Sequence, residues 1–175
     1  DALPICCHGP GRTPGLVKPD GMAFGGTKTT PLVLFNPLVG GLTGVQGTSF
    51  AAPLALRTAA AARAVSKTPL SATALRALMM HRADRSAGHN QLDVGWGRFP
   101  ETPEQLLTCG NHEVSVLYQG KIEAGARLRI GVPVPPVAMG VGLTITATFC
   151  FTSPVDAADP VNYTRHGLTI IFRPR

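Results

Sequence analysis

The sequence is poor in several things that would define a function quickly. No apolar run reaches the roughly 20 residues of a membrane-spanning helix, because prolines and polar residues interrupt every candidate. Asp1-Ala2-Leu3-Pro4-Ile5 opens the chain without a basic stretch followed by an apolar one, so no leader pattern is read there. Charged residues make up only 15% and aromatics only 6%, with a single tryptophan. The net charge of +6 comes from basic residues scattered from Arg12 to Arg175, with no dense basic run and no base-stacking motif. That distribution gives no nucleic-acid partner and no membrane partner. Four cysteines, Cys6, Cys7, Cys109 and Cys150, form no repeating disulfide framework. Cys109-Gly110-Asn111-His112 has the spacing of half a zinc site, but a second clean pair is missing. Buried apolar thiols are the simpler reading, and neither a metal nor a cofactor is called for.

What the 175 residues do contain is a 44% hydrophobic fraction with 20 glycines and 16 prolines, the composition of a packed domain rich in turns. Residues 1–46 read as turns and short strands, with an apolar run from Pro31 to Val39 broken by Pro37. From Ser49 the period becomes helical: Phe50, Leu54, Ala55, Thr58, Ala59 and Ala62 share one face. Pro53 lies near the limit of a tolerated first turn and sets the helix start at Thr48–Phe50. Ser71 caps a second helix that buries Ala74, Leu75, Leu78 and Met79. Gly88 to Pro100 reads as loop, and Pro103 to Leu107 as a short helix.

After His112 the period falls to two. Val114, Val116 and Tyr118 alternate, as do Leu128, Ile130, Val132 and Val134, and then "LTITATFCFT" and Leu168, Ile170 and Phe172. The reading is an α/β fragment over residues 1–110 followed by an antiparallel β-sandwich or jelly-roll-like module over 111–175.

The chemistry gathers around "GTSFAAP", residues 47–53. A serine hydroxyl is a weak nucleophile that needs a neighbouring base. At the start of a helix it sits beside free N–H groups and the positive end of the dipole. Ser49 can equally be an ordinary helix cap. "GPGRTPGLVKPDGMAFGG" precedes it at 9–26 and "GWGRF" follows at 95–99. Together these three segments resemble, in order, the subtilase (subtilisin-like) serine proteases. They resemble the family's Lys-Pro-Asp segment with its Ala-Pro-Gly-like turn, its Gly-Thr-Ser nucleophile loop, and the Gly-Tyr-Gly-Arg stretch that closes its catalytic domain. Phe24 stands at the usual proline and Phe50 at the usual methionine.

The resemblance implies a serine endopeptidase acting on polypeptide substrates through an acyl-enzyme on Ser49. Gly47 and Thr48 would line the nucleophile loop, and the Ser49 N–H would serve the oxyanion. It also implies an aspartate and a histidine ahead of the serine. The family's Asp-Thr/Ser-Gly and His-Gly-Thr-His patterns are missing, as is its oxyanion asparagine. Of the earlier candidates, Asp20 falls in the structural Lys-Pro-Asp match and His8 lacks the Gly-Thr-His continuation. His81, His89, His112 and His166 come after the serine, out of the family's order. The expectation is therefore a C-terminal part of a subtilase, inactive alone, with its Asp and His upstream and with a tendency to self-associate through apolar surface. A non-catalytic binding or scaffolding module is the rival reading. "LTITATFCFTSPVDAADPVNYTRHGLTIIF", with Val161-Asn162 in its loop, is similar to β modules appended to some subtilases.

Overall fold

A computed structural model describes residues 9–10, 17–85, 88–133 and 142–173. By packing, the chain divides into Asp1–Val116 and Leu117–Arg175. The N-terminal unit begins with a small antiparallel pair, β1 (Gly9–Pro10) and β2 (Val17–Lys18). A hairpin follows, formed by β3 (Leu32–Asn36) and β4 (Gly41–Val45), in which Leu34 faces Thr43 and Phe35 faces Leu42. Pro37 stands in the turn of this hairpin, where it interrupts no ladder bond. The Asn36 side-chain oxygen accepts from the Leu38 N–H at 3.0 Å and closes the corner.

α1 (Thr48–Val65) is built from alanines that let neighbouring backbone come close. All six residues of its anticipated face are half-buried or buried, with Thr58 and Ala62 the deepest. Pro53 is not in the tolerated first turn but in the second. The helix begins at Thr48, so the ring removes the bond to the Ser49 carbonyl. α2 (Ala72–His81) is capped by Ser71, whose hydroxyl accepts from the Ala74 N–H at 3.1 Å. α3 (Gln91–Val94) is one turn set off by the Asn90 side chain, inside a stretch that reads as loop. A single turn is too short for periodicity to reveal. α4 (Pro103–Leu107) has a capping box between Thr102 and Gln105.

α1 packs on α2 and α4 around Ala62, Leu70, Leu75, Leu78, Met79 and Leu106, with Ala55, Ala59 and Phe99 at the margin. The Thr58 hydroxyl, buried in this contact, donates to the Glu101 carbonyl at 3.0 Å and ties α1 to the start of α4.

In the Leu117–Arg175 unit no β-sandwich is shown: among the described residues the alternating segments form no ladder. Leu143, Ile145, Phe149 and Phe151 are about half exposed, so the apolar face is only partly covered by the described residues. A period of two makes two faces but does not fix which segments pair or in what register. One bridge joins Val155 to Thr164 and closes a turned loop. Within it Asp159 Oδ1 accepts from the N–H groups of Val161 and Asn162 at 3.0 and 2.9 Å, and Arg165 pairs with Asp156. These bonds hold both carboxyls below the usual range, led by the Arg165 bond at Asp156 and by the Asn162 backbone bond at Asp159.

Leu106 is 1% exposed whereas its neighbour Leu107 is 39% exposed. Leu106→Ala should destabilise the Asp1–Val116 unit by about 2–4 kcal/mol, measured by urea denaturation. Leu107→Ala should cost less than about 1 kcal/mol, and equal losses would contradict this packing.

Candidate active site

Ser49 sits where β4 passes through Gln46-Gly47 into α1. Gly47 is the N-cap, at φ 150° and ψ 155°, and no side chain caps the helix. Ser49 is the second helical residue and does not cap. Thr48 and Ser49 are both exposed. Among the described residues no group bonds the Ser49 hydroxyl or the Thr48 and Ser49 N–H groups. The first turn of α1 carries no acidic residue. Its positive end is therefore unneutralised, with free donors beside an exposed hydroxyl, which is favourable ground for developing negative charge.

The loop is held from below by the Gly25-Gly26 segment. The Gly47 N–H donates to the Gly25 carbonyl at 2.9 Å, and the Phe50 N–H returns to the Gly47 carbonyl at 3.0 Å. A Cβ on Gly25 would lie 2.6 Å from the Gly47 carbonyl oxygen and 3.2 Å from the Ala51 Cβ, so only glycine fits. The Ala-Pro-Gly-like turn of the family resemblance includes Gly25, but no local signal shows that this glycine supports the serine loop.

The two flanking segments meet in one lattice. The Met22 N–H donates to the Gly97 carbonyl and the Phe99 N–H to the Met22 carbonyl, each at 2.8 Å, while the Trp96 N–H reaches the Asp20 carbonyl at 3.1 Å. Arg98 and Asp84 exchange backbone bonds at 2.8 and 3.0 Å. Gly95, at φ 64°, passes so close to the Pro19 carbonyl that any side chain would collide with it. The Arg85 guanidinium stacks 4.9 Å from the Trp96 ring centroid, which gives the tryptophan a packing role.

Asp20 ties this lattice to α2. Its Oδ1 accepts from Lys18 Nζ and Arg76 Nη2, both at 2.8 Å. Partial burial pushes its pKa up, but the hydrogen bonds and charges of Lys18 and Arg76 prevail and hold it below the usual carboxylate range. Asp20 is thus a brace, consistent with its structural place in the Lys-Pro-Asp segment. Arg76 lies 56 positions away in sequence, and no local signal pairs the two.

No histidine or carboxylate bonds to Ser49 among the described residues. Asp1, His8, Cys6 and Cys7 lie outside them. His81 belongs to the last turn of α2, where burial and then the charges of Arg82 and Arg85 lower its pKa and favour the neutral ring. No group of three or more His, Cys, Asp or Glu side chains able to hold a metal occurs among the described residues. Cys109 is exposed and Cys150 only half-buried, so neither is the buried apolar thiol expected; the Cys109 thiol donates to the Glu113 carbonyl at 3.3 Å, and the Gly110 N–H donates to Glu113 Oε2 at 3.2 Å.

Two outcomes follow from this support. Gly25→Ala should displace the Thr48–Ala51 amide resonances and destabilise the unit by about 1–3 kcal/mol. Gly41→Ala, in the same unit, where an added Cβ meets only the Val39 carbonyl oxygen at 4.0 Å, is the control. Asp20→Asn should cost about 0.5–1 kcal/mol at pH 7, discounted for its exposure. Because the native pKa is depressed, this contribution is complete above the unfolded value of about 3.9 and vanishes as pH falls through the native one. Denaturation of the two proteins should converge in acid; a gap that stays constant down to pH 2 would contradict the brace.

The subtilase family model matches residues 9–97, just over half of the chain, and the match contains the Ser49 loop and the segment that supports it. No curated protein and no solved structure matches the chain. With the extent of the family match and the meeting of its segments in one framework, the chain belongs to the subtilase family.

Proposed function

We propose that the chain is the nucleophile-bearing part of a subtilisin-like serine endopeptidase. Ser49 Oγ attacks the scissile carbonyl carbon of a polypeptide, and its proton passes to a histidine. The Ser49 N–H and the open first turn of α1 stabilise the oxyanion. The leaving amine departs with that proton, and water then hydrolyses the ester on Ser49. Gly47 and Thr48 shape the loop. The histidine and its orienting aspartate are supplied from outside residues 1–175, because the patterns that mark them are missing here. The observation that carries this reading is the exposed, unbonded Ser49 hydroxyl beside the free N–H groups of an uncapped helix, within the family match.

The same reading gives residues 1–110 to the catalytic domain and 111–175 to an appended β module, whose alternating segments pair as a sandwich in the assembled protein. Val33, Phe35, Leu38, Val39 and Leu42 are 61–93% exposed on and beside the β3–β4 hairpin. An isolated two-stranded ribbon of this kind is marginal in water. Its exposure supports either covering by the rest of a catalytic domain or self-association.

A fluorophosphonate probe, which loses fluoride to an activated serine, tests the assignment. Protein taken from its natural source should be labelled at Ser49, as mapped by mass spectrometry. Residues 1–175 alone should react about 10⁶-fold more slowly, the scale of losing a catalytic histidine. Labelling at another serine would sink the nucleophile assignment. Peptide cleavage by residues 1–175, abolished by Ser49→Ala, would sink the need for outside partners.

A further inference from the structure

Beside the serine loop lies a groove of about 360 Å³, lined by Thr27, Lys28, Pro31, Gly44, Val45 and Gln46. Gln46 directly precedes Gly47, so the groove comes within about 10 Å of Ser49, three residues of extended chain at most. A bound polypeptide advances about 3.3 Å per residue, so two or three residues from the scissile bond span the distance to the groove's Gln46 end. The lining contains one cation, one exposed amide and no carboxylate.

Lys28 is exposed and has no partner among the described residues. It stands on a closed turn. The Thr27 N–H donates to the Thr30 carbonyl at 2.9 Å, the Thr30 N–H donates to Thr27 Oγ1 at 2.9 Å, and the Thr27 and Thr29 hydroxyls bond at 3.2 Å. The backbone below the lysine is therefore fixed before a ligand arrives, which lowers the ordering cost of a contact there. Gly44 packs closely on Pro31 in the lining, where an added Cβ would lie 3.1 Å from both Cβ and Cγ of the proline. A larger hollow of about 650 Å³ near Arg82, Asp84 and Arg98 has its charges paired: the Arg82 Nη atoms meet Thr108 and Glu113, with only its buried Nε unbonded, and Arg98 lies beside Asp84.

We propose that this groove is a substrate subsite for an acidic side chain, with Lys28 as the specificity-determining residue and Gln46 as a neutral hydrogen-bonding companion. The inference rests on the proteolytic reading of Ser49 and gives it a substrate class: polypeptides with Glu or Asp close to the scissile bond. Lysine attracts such a carboxylate as a point charge, and the contact weakens with salt because the groove is open to solvent.

The test is fluorescence anisotropy with residues 1–175 carrying Ser49→Ala, using labelled dodecapeptides in which Glu, Gln or Lys is walked through an Ala/Gly/Ser background. Glu at one or two adjacent positions should bind about two- to fivefold more tightly than Gln at low salt. Lys28→Gln should abolish the difference, and Lys28→Glu should reverse it in favour of Lys. Because Lys28 is exposed, neither variant should change the circular dichroism spectrum. Absence of peptide binding, equal affinity for all three residues, or an acidic preference that survives Lys28→Gln would each overturn the proposal. A Lys28-dependent preference without fluorophosphonate labelling of Ser49 in the natural protein would uphold the groove and sink hydrolysis. Labelling of Ser49 without a Lys28-dependent preference would sink the groove alone.

Discussion

The Gly25 carbonyl receives the Gly47 N–H at 2.9 Å, at a place where a single added carbon on Gly25 would overlap the Gly47 carbonyl oxygen. This close approach sets where α1 can begin, because Gly47 is the residue from which the helix departs. It also sets what is left unused. With glycine at the N-cap, no side chain takes up the helix's leading donors, and the hydroxyl of the second helical residue stays in solvent. At φ 150° the backbone of Gly47 strains any side chain, so a serine or aspartate cap is disfavoured at this position and the leading donors stay open.

Around that contact the unit is assembled from backbone rather than from large side chains. Segments 17–26 and 95–99 interlock through main-chain bonds, with glycines at the crossings. The side-chain contributions come from Asp20 reaching Arg76 and from Thr58 reaching Glu101, which join this lattice and α4 to the two long helices. The hydrophobic core lies further along α1, among Ala62, Leu75, Leu78, Met79 and Leu106. α1 therefore has two jobs along its length: packing through its later turns, and presenting Ser49 at its first.

Much of this was legible in the sequence, for identifiable reasons. α1 and α2 announce themselves by period and by Ser71, and a short helix reads over Pro103 to Leu107, to which the structure adds the Thr102 cap. Ser49 was legible because its motif is local and its flanks occur in order. The Lys18–Asp20–Arg76 cluster and the Gly25–Gly47 contact were not, since both depend on tertiary approach between distant residues. α3 escaped because one turn has no period. The strands anticipated after His112 are the largest gap: alternation is present from Val114 to Phe172, but no ladder forms among the described residues. Alternation encodes a face, and pairing needs register, which no single segment contains.

Pro53 changes how the first turn of α1 is joined to the rest of the helix. Having no N–H, it leaves the Ser49 carbonyl without its donor one turn later. The leading turn is thus stitched to the rest of α1 by one bond fewer, while the turns beyond it are clamped by Thr58 and by the core. The turn that carries Ser49 is thus the part of α1 with the fewest backbone bonds to the rest of the helix, and the packing that carries the fold begins beyond it.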